Sequence, residues 1–367
     1  MTIDDEALNQ KRESIREQIQ LGDYKSLAEI ILDGIGKAFQ KITRRKRPLS
    51  YLSSGLVIAA FAILLSFLVS LIANEFYTLA KLDVVWIVLW SVFTGYLSIV
   101  GISNVIRQLS NTVSESVLDS IQLTTDLENL QDWLISTSRI QRQLIFCFVF
   151  TFFMIVVFFS FIWESLGAQY PRFGLSIIAI TNFFQIGLAI AYFLPLFNFA
   201  ARVGTYKLKL YTQNPASSEV IEQLSHSMNQ ITLLGAGIIA TVTFGFVFFD
   251  FVRQQFVLSL LIFSWIVFII RFLTQQSMFT KIITRTKRVK LNSIQEQIEK
   301  LEETQNLADR NTIEAINRLM DYYDRIKNTP NSAINLRSGL SFLNSLLLPV
   351  VGFLLGNIET VLKLFFK

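Results

Sequence analysis

The chain has a single cysteine and a single histidine in 367 residues. Cys147 has no partner for an intramolecular disulfide, and a cysteine-based zinc site is excluded. His226 stands alone in a polar connecting stretch, so neither a histidine metal cluster nor a histidine proton relay is available. Cys147 reads as a small buried residue and His226 as a solvated one. Signatures of catalysis are missing as well: there is no GxxxxGK[ST], no GxSxG, no HExxH and no paired-cysteine motif. Gly34-Ile35-Gly36 follows no predicted strand and lies inside an amphipathic helical pattern, which is not the setting of a phosphate loop. The acidic group Glu299, Glu302 and Glu303 reads as a solvated helix face. No enzyme, cofactor or metal centre is expected.

Charge is also scarce where the chain is most apolar. Asp250, Arg271 and Glu164 fall near segment ends, within reach of an interface. Coupled transporters hold ionisable groups at mid-membrane, so this scarcity argues against a proton-coupled pump. It leaves open a channel, whose selectivity comes from carbonyls, amides or charged rings.

What the chain does have is apolar length. Hydrophobic residues make up 52% of it, with 33 phenylalanines, and the mean hydropathy is +0.46. Six apolar segments lie at 51–73, 85–106, 144–163, 174–200, 231–249 and 256–273. A bilayer core about 30 Å thick needs roughly 20 apolar helical residues, so each segment is long enough to cross one. The expected fold is therefore an all-α, polytopic integral membrane protein with six transmembrane helices arranged as three hairpins. The domain plan is an amphipathic N-terminal arm at 1–50, the transmembrane domain at 51–273, and a helical, coiled-coil-like tail at 274–337. An apolar C-terminal segment at 338–367 reads as re-entrant or interfacial, because Asn344, Pro349 and Gly352 interrupt it. The first fifty residues do not resemble a cleaved leader, so the first apolar segment reads as a retained anchor.

Orientation follows from the basic residues. Lys37, Lys41 and Arg44 to Arg47 precede the first segment, and Lys81 alone separates the first two. Arg107, Arg139 and Arg142 follow the second, and Arg172 alone separates the third and fourth. Arg202, Lys207 and Lys209 follow the fourth, Arg253 alone separates the last two, and Lys281, Arg285, Lys287, Arg288 and Lys290 follow the sixth. Rich and poor gaps alternate, which places both termini in the cytoplasm. The net charge of +5 is thus spent beside apolar segments, and nucleic acid is not an expected partner.

The inner links at 107–143 and 203–230 read as helical. The first places Val113, Val117, Ile121, Leu127, Leu130 and Leu134 near helical spacing, and the second breaks at Asn214-Pro215. In the arm, Leu27, Ile30, Ile31, Ile35 and Phe39 share a broad face, suited either to a membrane surface or to packing on other helices.

Two patterns suggest function. Segment four is the most polar; Asn182 and Gln185, three residues apart, share a face, with Tyr192 further on. These three are candidate path-lining residues, the alternative being hydrogen bonding between helices. Gly237, Thr241 and Gly245 form a small-residue stripe on segment five, and Ser91 and Gly95 form another on segment two; both read as helix-packing surfaces. Together these features suggest a homo-oligomeric, channel-like or transport protein for ions or small solutes, with membrane lipid as a partner. The alternative is a non-transporting scaffold that docks a cytoplasmic protein on its helical extensions.

Overall fold

In a computed structural model of the chain, the structure describes residues 3–44, 47–79, 81–163, 171–248, 255–304 and 310–331. The C-terminal segment at 338–367 and most of the predicted turns at 164–173 and 250–255 lie outside the described residues.

Helices carry the described fold, with no named strand among these residues. Helix α1 (Ile3–Leu21) ends at Gly22, whose φ of 82° is left-handed. There Asp23 N donates to Gln18 O and Gly22 N to Ile19 O, which closes the last carbonyls at a residue without a Cβ penalty. Helix α2 (Leu27–Thr43) starts five residues later with a capping box: Ser26 Oγ accepts from Glu29 N, and the Glu29 carboxylate accepts from Ser26 N at 2.9 Å. Then come α3 (Tyr51–Ile72), the single turn α4 (Phe76–Leu79) and α5 (Leu82–Thr112). A π-helical stretch, Val113–Val117, joins α5 to the short α6 (Leu118–Ser120), so one rod runs well past the apolar segment. Next are α7 (Thr124–Ser138), α8 (Ile140–Val157) with a π-helical end at Phe158–Ile162, and α9 (Arg172–Val203). The chain finishes with α10 (Glu219–Phe248), α11 (Gln255–Thr304) and α12 (Arg310–Lys327).

Six of these elements are long and apolar enough to cross a membrane: α3, the α5–α6 rod, α8, α9, α10 and α11. They correspond to the six apolar segments, but several are much longer. The sequence boundaries stop where polar residues begin, whereas the helices continue, because polar residues with good helical propensity extend a helix at little cost. Thus α10 begins at Glu219 rather than near 231, and α11 continues to Thr304.

The extensions gather at one end of the bundle. Arg12 Nη2 donates to Ile121 O at 2.5 Å, Arg16 Nε to Ser114 O in the π-helical stretch, and Arg16 Nη2 pairs with Asp119. Gln122 N donates to Lys207 O and Lys209 N to Ser120 O, tying the two links together through an antiparallel bridge between Ile121 and Leu208. Leu27 N donates to Gln143 Oε1, so the start of α2 is held by the start of α8. Trp133 stacks on Phe199, with ring centroids 4.6 Å apart. The largest core lies here and includes Ile15, Leu32, Val117, Ile121, Leu127, Leu130 and Phe199. Five of the six residues read as a helical stripe in the first link are fully buried, and Leu134 packs against them. Helix α2 packs against α3, α5, α8 and α9, so of its two expected roles the described contacts are those of a helix packed on helices.

Helix α12 folds back on α11. Lys287 Nζ, nearly buried on α11, donates to Lys327 O, Thr329 O and Asn331 Oδ1 at 3.1, 2.7 and 2.8 Å. An ammonium among the last carbonyls of α12 satisfies acceptors that a helix terminus leaves open and complements its dipole. Leu291, Ile294, Ile298 and Leu301, spaced 3-4-3 on α11, lie in the arm of this hairpin, and Ile294 is buried. At the opposite end of the bundle a smaller core joins the starts of α5, α9 and α11 to the end of α8, through Val84, Leu175, Leu258 and Phe158.

Glu29 is the one buried carboxylate of this capping network, 6% exposed. Burial raises its pKa, opposed by the bonds from Ser26 and by the charges of Arg107 and Lys25. The folded form therefore holds its proton to higher pH than the unfolded chain, and stability from this group falls as pH rises through the raised value. Gln at the same position preserves the capping geometry without the charge. Glu29→Gln is accordingly expected to gain melting temperature relative to the wild type as pH rises from 4 to 8. A difference that stays constant across that range would refute the burial argument.

Candidate ligand cleft

Helix α5 is the central contact of the apolar bundle, and its small residues set how close its neighbours come. A Cβ on Gly95 would fall 1.9 Å from Gln185 Oε1 and 3.1 Å from Asn182 Oδ1, so α9 approaches α5 through the space a side chain would fill. On the other side, a Cβ on Gly245 would meet the Trp90 ring at 2.7 Å. Trp90 Nε1 donates to Thr241 O at 2.9 Å, and its ring lies 4.9 Å from that of Phe244. One indole on α5 thus reads two small positions of α10. Where lipid tails are as apolar as the side chains, such close packing and interhelical bonding hold helices together.

Gly95, Thr241 and Gly245 therefore sit at helix contacts. Among the described residues Gly237 has no such contact, since a Cβ there would find no atom within 4 Å. The physical reason is curvature and crossing angle, since a second helix meets a stripe over a limited length. Gly235, two positions away, is the closer packed residue, against Phe268 of α11.

The three path-lining candidates separate. Gln185 is 6% exposed and pressed against Gly95, and Tyr192 is buried in the main core. Neither is among the residues that line a cleft of about 550 Å³ bounded by α5, α8, α9, α10 and α11, whereas Asn182 is. Its Oδ1 is buried and has no hydrogen-bond partner among the described residues. Ser91 also lines this cleft.

The walls are mostly aromatic and aliphatic, including Trp90, Phe150, Phe183, Ile238 and Phe268. Thr94 and Ser264 are also there, but each hydroxyl donates to a carbonyl one turn back in its own helix. Phe153 of α8 and Phe263 of α11 are 51% and 64% exposed, so the rim reaches the flank of the bundle. Arg271 is the one charged side chain among the described lining residues. It stands toward the extension end, where its Nη1 donates to Asn198 Oδ1 at 3.2 Å. A cavity of this size, largely apolar with a few polar groups, has the character of a small-molecule site. Its walls offer no continuous polar surface for a hydrated ion.

The roles of Trp90 and Arg271 were not read from the sequence. A Trp in an apolar segment looks like any core aromatic, and an Arg near a segment end looks like an interface anchor. Among the described residues no group of three or more potential metal ligands is present. Comparison with protein-family models, curated proteins and solved structures finds no match for the chain.

Gly245→Leu must displace Trp90 and is expected to cost about 1–3 kcal/mol of stability by overpacking. Gly237→Leu should leave the melting temperature near the wild-type value. Thermal melts of both purified variants in detergent check the pair. Equal effects would show that the α5–α10 contact is not what the stripe serves.

Proposed function

We propose that the chain is a multi-pass membrane protein, with both termini cytoplasmic, that acts as a transport protein for a small apolar or amphiphilic solute. The observation that carries this reading is the cleft of about 550 Å³ among the apolar helices. Its apolar walls favour such a solute over an ion within the reach of one protomer. Six helices of sufficient apolar length support membrane insertion. The grouping of the basic-rich gaps at the extension end supports the orientation, since cytoplasmic loops carry an excess of Lys and Arg.

One observation favours the scaffold reading instead. Helix α12 is strongly two-sided, yet Ile313 and Met320 are 46% and 53% exposed and its main described contact is α11. Such a face suits a cytoplasmic protein partner or a second copy of the chain in a homo-oligomer. Flux separates the two readings, because a scaffold needs none.

With Cys147→Ala as background, Lys81→Cys should react with an impermeant thiol reagent added outside intact cells, and Lys209→Cys only after permeabilisation. The reverse pattern would overturn the orientation.

In liposomes, the wild type should pass or bind small apolar fluorescent solutes without conducting ions. Asn182→Leu should alter that uptake with little change in melting temperature, because Asn182 lines the cleft and its Oδ1 has no described hydrogen bond to lose. Gln185→Leu should instead lose about 0.6–2 kcal/mol of stability, because its amide joins helices. Ion currents sensitive to Asn182→Leu would restore the channel reading.

A further inference from the structure

The cleft is not uniformly apolar along its length. Its walls are hydrocarbon and aromatic through most of the bundle, and its single described charge, Arg271, lies at the end from which the helical extensions project. At 1.5 Å per residue, Arg271 is about 24 Å along α11 from Gln255, near the thickness of a bilayer core of about 30 Å. Hence the guanidinium belongs at headgroup depth while the cleft belongs at acyl-chain depth. Among the described residues no carboxylate forms an ion pair with Arg271; its described side-chain partner is the neutral amide of Asn198. The rim at Phe153 and Phe263 faces the flank, where a bilayer lipid would enter.

A cation above an apolar slot complements a molecule with an acidic head and a hydrocarbon tail. We propose that the cleft binds an anionic membrane phospholipid, with an acyl chain between α8 and α11 and the phosphate paired with Arg271. This rests on the membrane reading and on the cleft being a ligand site. A guanidinium forms charge-assisted, often bidentate bonds to phosphate, so the headgroup contact adds selectivity to a tail contact that any lipid can make. Asn198 then acts as a positioning residue that orients the guanidinium.

Trp90 lines the cleft, so its fluorescence reports on the tail. The purified full-length protein in detergent is titrated with phosphatidylglycerol or phosphatidylcholine carrying the same brominated acyl chains. The Trp90 signal is taken as the difference from Trp90→Phe. Quenching of Trp90 should reach half-maximum at about fivefold lower phosphatidylglycerol than phosphatidylcholine, the scale of one basic residue at a membrane surface. Arg271→Gln should make the two lipids equal, and Arg271→Lys should keep part of the preference, which also guards against a misfolded Gln variant. Ala179→Phe, which fills the cleft, should abolish quenching by both. Equal quenching by the two lipids in the wild type overturns the anionic-lipid proposal while leaving an apolar ligand cleft. A preference that survives Arg271→Gln overturns the assignment of the head to Arg271. If neither lipid quenches Trp90, the lipid proposal is overturned, while uptake of small apolar solutes in liposomes separately decides the proposed function.

Discussion

Close approach between helix backbones is the constraint on which this architecture depends. In the bilayer proposed for this chain, apolar side chains would gain little from meeting one another, so helix association would rely on packing and hydrogen bonds. Gly95 allows α9 to press Gln185 against α5, and Gly245 allows Trp90 of α5 to reach a carbonyl of α10. Gly55 and Gly101 do the same for α3 and α10, where a Cβ would meet Val100 and Leu234 at 2.4 and 2.5 Å. With α5 packed on several sides, α8 and α11 are left to bound the remaining face of α9, and the cleft lies between them.

The extension end is built on a different principle. Its core is larger and its joints are polar but specific: a capping box at Ser26 and Glu29, arginines of α1 on carbonyls of the first link, and Lys287 on the end of α12. Polar groups taken out of water must find partners, and apart from the local capping box those partners come from segments far apart in the chain. Thr112 and Ser227 share a hydrogen bond of 2.8 Å, which joins the continuations of α5 and α10. The site and the extensions meet through the same rods, because α9 and α11 line the cleft and also run into the large core.

The cleft illustrates how neighbouring positions on one helix face acquire different roles. Asn182 and Gln185 are three residues apart and share a face by periodicity alone. Both amide oxygens lie against Gly95 of α5, that of Asn182 without a described hydrogen-bond partner, and of the two residues Asn182 is the one among the lining of the cleft. Close approaches on two sides fix the seat of α9, at Gly95 of α5 and at its own Gly187, where a Cβ would meet Cys147 Sγ at 3.2 Å. The lone cysteine thus fills a tight α8–α9 contact, and its thiol donates to Phe184 O at 3.3 Å.

Local pattern by itself determined that the chain would be helical, that six helices would have the length and composition to cross a membrane, and that the links at 107–143 and 203–230 would carry helical structure. Those properties depend on runs of apolar residues, on period and on turn chemistry, all of which are contained in a short window. The turn at Asn214-Pro215 and the buried stripe from Val113 to Leu130 belong to this class. Tertiary structure alone decided how far the rods extend as part of a core, which small residues touch a neighbour, and which polar side chains face a cavity. Gly237 and Gly245 are alike in sequence context, yet among the described residues only the second is pressed against another helix. Arg271 resembles the other basic residues near segment ends until α9, α10 and α11 enclose the space beside it. The physical reason is that composition fixes how apolar a helix is, whereas its rotation and crossing angle come from the joint packing of several helices distant in the chain.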